Sequence, residues 1–195
     1  MNLENSRLAR QRLLNNWLDS RSVITAQLGI LPAPRDDEIT FFKYFLERNL
    51  IHKGELTLLF SQEKRLTNWL LYYHIKKAIL LGQLFFSEIE FIDFNNLLIN
   101  VFGYSDNGEI IGKLNNPYKK LIIIQDYYKA PGKNFEMLKE HLGKNLFSQK
   151  QKSIIITNGN MGLNIMYDFK DLQEQHGVNF FDLTSIYKKM PQSKK

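Results

Sequence analysis

The segment KLIIIQDYYKAPGK, residues 120–133, decides how the chain folds. Its four consecutive apolar residues break the in-out alternation of a half-wet strand and demand burial on both faces, as a strand inside a parallel sheet does. The run closes on the polar pair Gln125-Asp126, and Pro131-Gly132 then punctuate the chain before a helical pattern resumes. Nucleotide-hydrolysing sheets present one acid or two at such an end. An ordinary buried strand also stops at polar residues, so the pair has two readings.

Outward from this strand the pattern repeats. ELTLLF (55–60), EIEFIDF (88–94), SIIIT (153–157) and VNFFDLTS (178–185) are further strand signals, and helical periodicity over 64–81, 133–147 and 163–175 separates them. NNLLINVFG continues as a short helix, and residues 103–120, which contain Asp106-Asn107-Gly108, form a turn-rich loop. Strands alternating with helices predict an α/β fold: a mostly parallel central sheet with helices on both faces, a three-layer core of P-loop type.

Ahead of it lies a helical lead-in. Residues 2–19 place Leu3, Leu13, Leu14, Trp17 and Leu18 among Arg, Gln and Asn as an amphipathic helix. GILPAPR (29–35) is an extended connector, and a second helix over 37–49 carries Asp36 or Asp37 as its cap, with Ile39, Phe42, Phe45, Leu46 and Leu50 at helical spacing. The division expected is 1–35 helix and connector, 36–190 α/β domain, and 191–195 basic tail.

Composition narrows the function. A chain of 195 residues buries roughly 70% of the surface its unfolded form exposes, enough for a core without staples. There is no cysteine, which removes disulfides, thiolate metal sites and cysteine nucleophiles, and suits a reducing cytoplasm. The first residues lack the apolar core of a signal peptide and no run is long enough to span a membrane, so a soluble cytoplasmic protein with no membrane partner is expected. The formal net charge is +6. Its excess sits partly at the ends, in Arg7, Arg10 and Arg12 and in Lys188, Lys189, Lys194 and Lys195, where it serves solubility or an acidic partner.

In an open parallel sheet, ligands bind beyond the carboxyl ends of the strands. After LTLLF, a phosphate-binding loop would need glycines, so that backbone N–H groups converge on phosphate, with a Lys and a Ser or Thr behind them. Not one glycine lies between Glu55 and Leu81. Thr67 and Asn68 fall where the Lys and the Ser/Thr belong, and Lys64 arrives early. At the end of the central strand, Gln125 is neutral where magnesium would want an anionic oxygen, which leaves Asp126 only the second, water-polarising place. Asn158, after SIIIT, stands where a side chain would sense the terminal phosphate, although Asn-Gly is also a common turn. Lys64, Thr67, Asn68, Gln125, Asp126 and Asn158 are therefore read as a vestigial nucleotide-binding set. No cofactor is expected.

His52, His74, His141 and His176 are scattered without ligand spacing, so no metal site is expected. Tyr127, Tyr128, Lys129 and Lys133 mix aromatic and basic groups as single-strand binders do. A core tyrosine beside solvated lysines is the commoner use of such a run. Trp69, Tyr72 and Tyr73 read as core and interface aromatics.

Taken in order, LTLLF, EIEFIDF, LIIIQD and IIITN, each followed by its helix or turn, resemble the AAA+ core of bacterial helicase loaders of the DnaC/DnaI type and the related IstB transposition helpers. The likeness covers roughly residues 36–190, and FFDLTSIYKK is similar to the last strand and basic end of such domains. The chain departs from the family at the missing phosphate loop, at Gln125, and in having no arginine after Arg65 to serve a neighbouring subunit's site.

The resemblance implies a non-catalytic, loader-like or initiator-associated adaptor of DNA replication with a replicative helicase or initiator as partner. Because the region ahead of the core contacts the helicase in the loaders, Leu13, Leu14 and Trp17 are the implied partner anchors. Two other readings stay open. One is an active ATP-hydrolysing loader or transposition helper that uses Asp126 and Lys64. The other is a single-stranded-DNA-binding module that uses Tyr127, Tyr128, Lys129, Lys133, Lys188 and Lys189.

Overall fold

In the computed structural model of the chain, the described residues are 3–29, 33–47, 50–51, 55–93, 116–125, 139–140, 142, 152–158, 170, 174 and 178–190. The elements they contain are α1 (Leu3–Gln27), α2 (Asp36–Leu46), β1 (Leu56–Phe60), α3 (Lys64–Leu80), a 3-10 turn (Phe86–Glu88), β2 (Ile89–Asp93), β3 (Leu121–Gln125), β4 (Ser153–Asn158), β5 (Val178–Asp182) and α4 (Leu183–Lys189). The short helix expected after EIEFIDF, the Asp-Asn-Gly segment and the residue after Asn158 in the Asn-Gly pair lie outside the described residues, as do most of the helices at 133–147 and 163–175.

The five strands form one parallel sheet in the order β2-β3-β4-β1-β5. This is the parallel α/β sheet anticipated from the strand pattern. The register sets Leu59 beside Phe181 and Thr57 beside Ile155, and carries Ile123 level with both Ile155 and Phe91. That face packs on the buried sides of α1, α2 and α3. On the opposite face Leu58, Ile122, Ile124, Ile154 and Ile156 are equally buried, so water reaches neither side of the central strands.

α2 fills one end of the helical layer. Phe41, Phe42 and Phe45 are fully buried and meet edge-on or tilted, with Phe41 also 5.3 Å from the Tyr187 ring and Phe45 5.8 Å from Phe181. Arg35, rather than Asp36 or Asp37, is its N-cap residue, and the Glu38 carboxylate accepts the Arg35 N–H at 2.7 Å. The two aspartates stand in the first turn, where the helix dipole favours negative charge.

α1 is longer than the periodicity of residues 2–19 indicates. Val23, Ile24 and Thr25 are β-branched and weaken a helix locally. Ile24 and Leu28 are nevertheless buried in the core, and that packing carries the helix on to a glycine, Gly29, at φ 85°. The last strand is shorter than 178–185. Asp182 accepts the Ser185 N–H at 2.9 Å and the Ser185 hydroxyl at 2.6 Å, and this cap turns LTS into the start of α4.

α1 runs antiparallel to α3. Leu28 lies at the start of α3 beside Asn68, Trp17 stacks edge-on with Tyr72 at 5.4 Å, and Leu13 faces Gly82 just past the end of α3. Trp69, Tyr72 and Tyr73 are in mutual ring contact and, with Phe42, join α2 to α3.

His74 is buried in α3 and bonds to the carbonyl of Phe45 near the end of α2, while its Nε2 has no partner. Burial, aided by the nearby Lys77 charge, pushes the imidazole from 6.5 down to about 4. Between those values the unfolded chain takes up a proton that the folded chain refuses, so stability falls as pH drops through the window. The full shift corresponds to on the order of 3 kcal/mol. The urea midpoint of the native chain should fall between pH 6.5 and 4 more steeply than that of His74→Leu. Parallel pH profiles for the two would show that His74 is not the group responsible.

Candidate functional site

The place to look is the carboxyl edge of the sheet, where β1 hands the chain to α3. Only Ser61, Gln62 and Glu63 separate Phe60 from Lys64. Ser61 is fully buried, and its hydroxyl accepts the Glu63 N–H at 3.0 Å and donates to the Glu63 carbonyl at 2.8 Å. The Gln62 N–H donates to the Thr184 hydroxyl at 2.9 Å, which ties the connection to the first turn of α4. A phosphate cradle works by offering free backbone N–H groups. Here two of the amides in the connection are already occupied by side-chain oxygens.

The residues behind the connection have structural partners of their own. Asn68 is buried and its Nδ2 donates to the carbonyl of Leu28 at 2.5 Å. It satisfies one of the carbonyls that every helix leaves unpaired at its C-terminus. A side chain placed by spacing at the magnesium-binding position thus closes the end of α1 instead. Thr67 is buried beside it, and Lys64 is exposed.

Along the same edge Gln125 is buried at the end of β3, level with Asp93. The parallel register that pairs Ile124 with Ile156 carries Gln125 alongside the buried Thr157. Two neutral side chains therefore occupy the ends of the two central strands. Asn158 closes β4, paired with Phe60. Asp126, Tyr127, Tyr128, Lys129 and Lys133 lie outside the described residues. Lys188 and Lys189 are exposed in the last turn of α4, where cations suit the helix dipole.

Sequence spacing did not reveal the charged cluster next to this edge. Glu38 is fully buried, and both Arg35 and Arg65 reach its carboxylate, Arg35 at 3.2 Å. Arg65 also donates to the Ala33 carbonyl at 3.3 Å. The Tyr187 hydroxyl donates to Asp37 and accepts from Arg35 at 3.2 Å. Burial and the bond to Asp37 push the Tyr187 phenol up to about 12, and that hydroxyl in turn holds Asp37 below the usual carboxylate range. The cluster knots the connector, α2, α3 and α4 together. The signal available in the sequence was DDE directly after Arg35, but its partners stand 27 and 150 residues away, out of range of any local pattern.

Among the described residues no group of His, Asp and Glu side chains could hold a metal ion, and no helix is long and apolar enough to cross a membrane. The helix that carries the implied partner anchors splits them between two faces. Trp17 is buried at 4% exposure and Leu13 is half-buried against the end of α3, whereas Leu14 is 41% exposed. Lys76 lies 5.6 Å over the Trp17 ring.

No protein-family model and no curated protein matches the chain. Among solved structures it is similar to a candidate primosome component from Streptococcus pyogenes serotype M3, at 12% identity and a TM-score of 0.46, over 78% of this chain and 82% of that one. It is similar to the DnaC helicase loader at 14% identity and a TM-score of 0.41, over 85% and 93% of the two chains. RIF2 of Saccharomyces cerevisiae aligns over 98% of this chain and 64% of its own, at 15% identity and a TM-score of 0.46. None of the three is similar enough to transfer a function.

If Asn68 serves the fold, Asn68→Ala should lower unfolding free energy by about 1–3 kcal/mol, the cost of leaving a buried carbonyl unpaired. Chemical denaturation measures this directly, and an unchanged stability would return Asn68 to the list of ligand-binding candidates.

Proposed function

We propose that the protein is a non-catalytic AAA+-like adaptor of bacterial DNA replication, loader-like or initiator-associated, that works through protein contacts with a replicative helicase or initiator. The observation that carries the non-catalytic half is the β1–α3 connection. It is three residues long, has no glycine, and spends the Gln62 and Glu63 amides on Thr184 and Ser61. Opening it to receive a triphosphate would break those bonds and pull Thr184 away from the sheet edge.

Three further features support the same reading. Gln125 brings no charge to a magnesium ion, and Asn68 is engaged with Leu28. The chain also contains no arginine beyond Arg65, and Arg65 itself is committed to the buried Glu38. An arginine that balances a buried carboxylate is a poor candidate for donation to a neighbouring subunit, because its departure would leave that charge uncompensated.

The replication half rests on the sequence resemblance of LIIIQD and IIITN. Under this reading the division of labour is an N-terminal helix and connector (1–35), the α/β domain (36–190) and a basic tail (191–195), with contact made by exposed parts of the first region.

Calorimetry with ATP and Mg²⁺ tests the non-catalytic half: no heat of binding is expected at micromolar nucleotide. Micromolar binding that Asp126→Ala abolishes would overturn it and favour the active hydrolase. Purification of the chain from its native cell tests the other half, since a replicative helicase or initiator should come with it.

A further inference from the structure

The charged knot beside the sheet edge ties the connector, α2, α3 and α4 together, but not on equal terms. Glu38 of α2 is fully buried and is balanced by Arg65 of α3 and by Arg35 of the connector, so parting α2 from α3 would strand a buried carboxylate. α4 enters the knot only through neutral groups. The Tyr187 hydroxyl bonds Asp37 and Arg35, and the Thr184 hydroxyl accepts the Gln62 N–H. When these hydroxyls leave, Asp37 still has the Arg35 guanidinium at 3.6 Å, and both side chains already reach water. α4 can therefore depart without leaving a charge uncompensated.

Apolar packing holds α4 in place, but lightly. Among the seven residues of the helix Leu183 alone is buried, while Ile186, Tyr187 and the following Met190 are partly buried against the core. Leu66, Leu70, Leu71, Ile75 and Ile79 of α3, by contrast, are all fully buried. An element with few buried apolar contacts opens at a lower free energy than the core it rests on.

Thr184 and Tyr187 are three residues apart in sequence and so share one face of α4. Tyr187 anchors that face to the start of α2, and Thr184 rests on the β1–α3 connection. Losing the first anchor loosens the second, although the Tyr187 hydroxyl bonds to α2 and the connector rather than to Gln62.

We propose that α4 is a strap over the carboxyl edge of the sheet, lifting as a unit and releasing the Gln62 amide as it lifts, so that a closed edge and an open one exchange within the folded chain. The closed form prevails because it buries Leu183 and seats the Tyr187 ring 5.3 Å from Phe41. A partner that binds the open form better than the closed one shifts the balance toward it. The strap is thus a point of control over the edge, and it stands apart from the adaptor reading.

Amide hydrogen exchange, followed by NMR on the full chain, tests the strap. A helix of seven residues does not persist alone, so its amides exchange once it lifts. The N–H groups of Gln62, Tyr187, Lys188 and Lys189 should share one opening constant, roughly a hundredfold above those of Ile123 and Ile155. That constant should be nearly flat in urea below the unfolding transition, since lifting α4 exposes little surface. Tyr187→Phe removes a hydrogen bond to a charged group and should raise the shared constant about tenfold, at Gln62 as much as in α4. The chemical shifts of Ile123 and Ile155 should stay in place.

If Tyr187→Phe speeds the α4 amides but leaves Gln62 unchanged, or changes neither, the Gln62 bond opens on its own and α4 is no strap. Exchange of Gln62 and α4 in step with Ile123, with a steep dependence on urea, would show that α4 leaves only when the domain unfolds, and would equally overturn the proposal.

Discussion

A parallel sheet cannot leave either face wet, and the rest of this molecule follows from that constraint. The central strands β3, β4 and β1 are buried on both faces, with Ile122, Ile123, Ile124, Ile154, Ile155 and Ile156 all buried. One face is roofed by α3 with α1 and α2 on either side, and this requirement explains why the lead-in helix belongs to the same core as the domain it precedes. Trp17, Ile24 and Leu28 contribute to that core as fully as Leu70 or Ile75 in α3. Removing the burial of α1 would expose the back of α3, so α1 cannot be a free arm.

The roof must also be pinned at its edges, and polar groups do that work where apolar packing runs out. Asn68 holds the end of α1, His74 holds the end of α2, and Glu38 with two arginines holds the start of α2 against the start of α3. Thr184 and Tyr187 fasten α4 to the β1–α3 connection and to Asp37. Most of these bonds converge on the edge where an α/β sheet of this kind would hold its ligand. A buried carboxylate between two arginines is costly to desolvate and costly to break. Its value here is geometric, since it fixes the starts of α2 and α3 in one arrangement.

The strands and the long helix α3 were legible because burial on both faces leaves an unbroken apolar run, and LIIIQ and SIIIT are such runs. The errors came where tertiary packing overrode local preference. β-branched Val23, Ile24 and Thr25 hid the continuation of α1, and the aspartate in FFDLTS looked like the middle of a strand when it caps a helix. At the candidate site, the absence of glycine between Glu55 and Leu81 was readable directly. That Ser61, Thr184 and Leu28 supply or receive the bonds instead was not, because those partners are brought together by the fold rather than by spacing.

The amphipathic helix shows why composition alone could not sort its residues by role. Leu13, Leu14 and Trp17 are near neighbours in sequence, yet one helical step of about 100° separates a side chain pressed on α3 from one in water. A helix with apolar residues on its inner face and others left in water has an overall pattern that looks blurred rather than two-sided. α1 fits that description, with Trp17, Ile24 and Leu28 on the inner stripe and Leu14 and Leu18 exposed on another side.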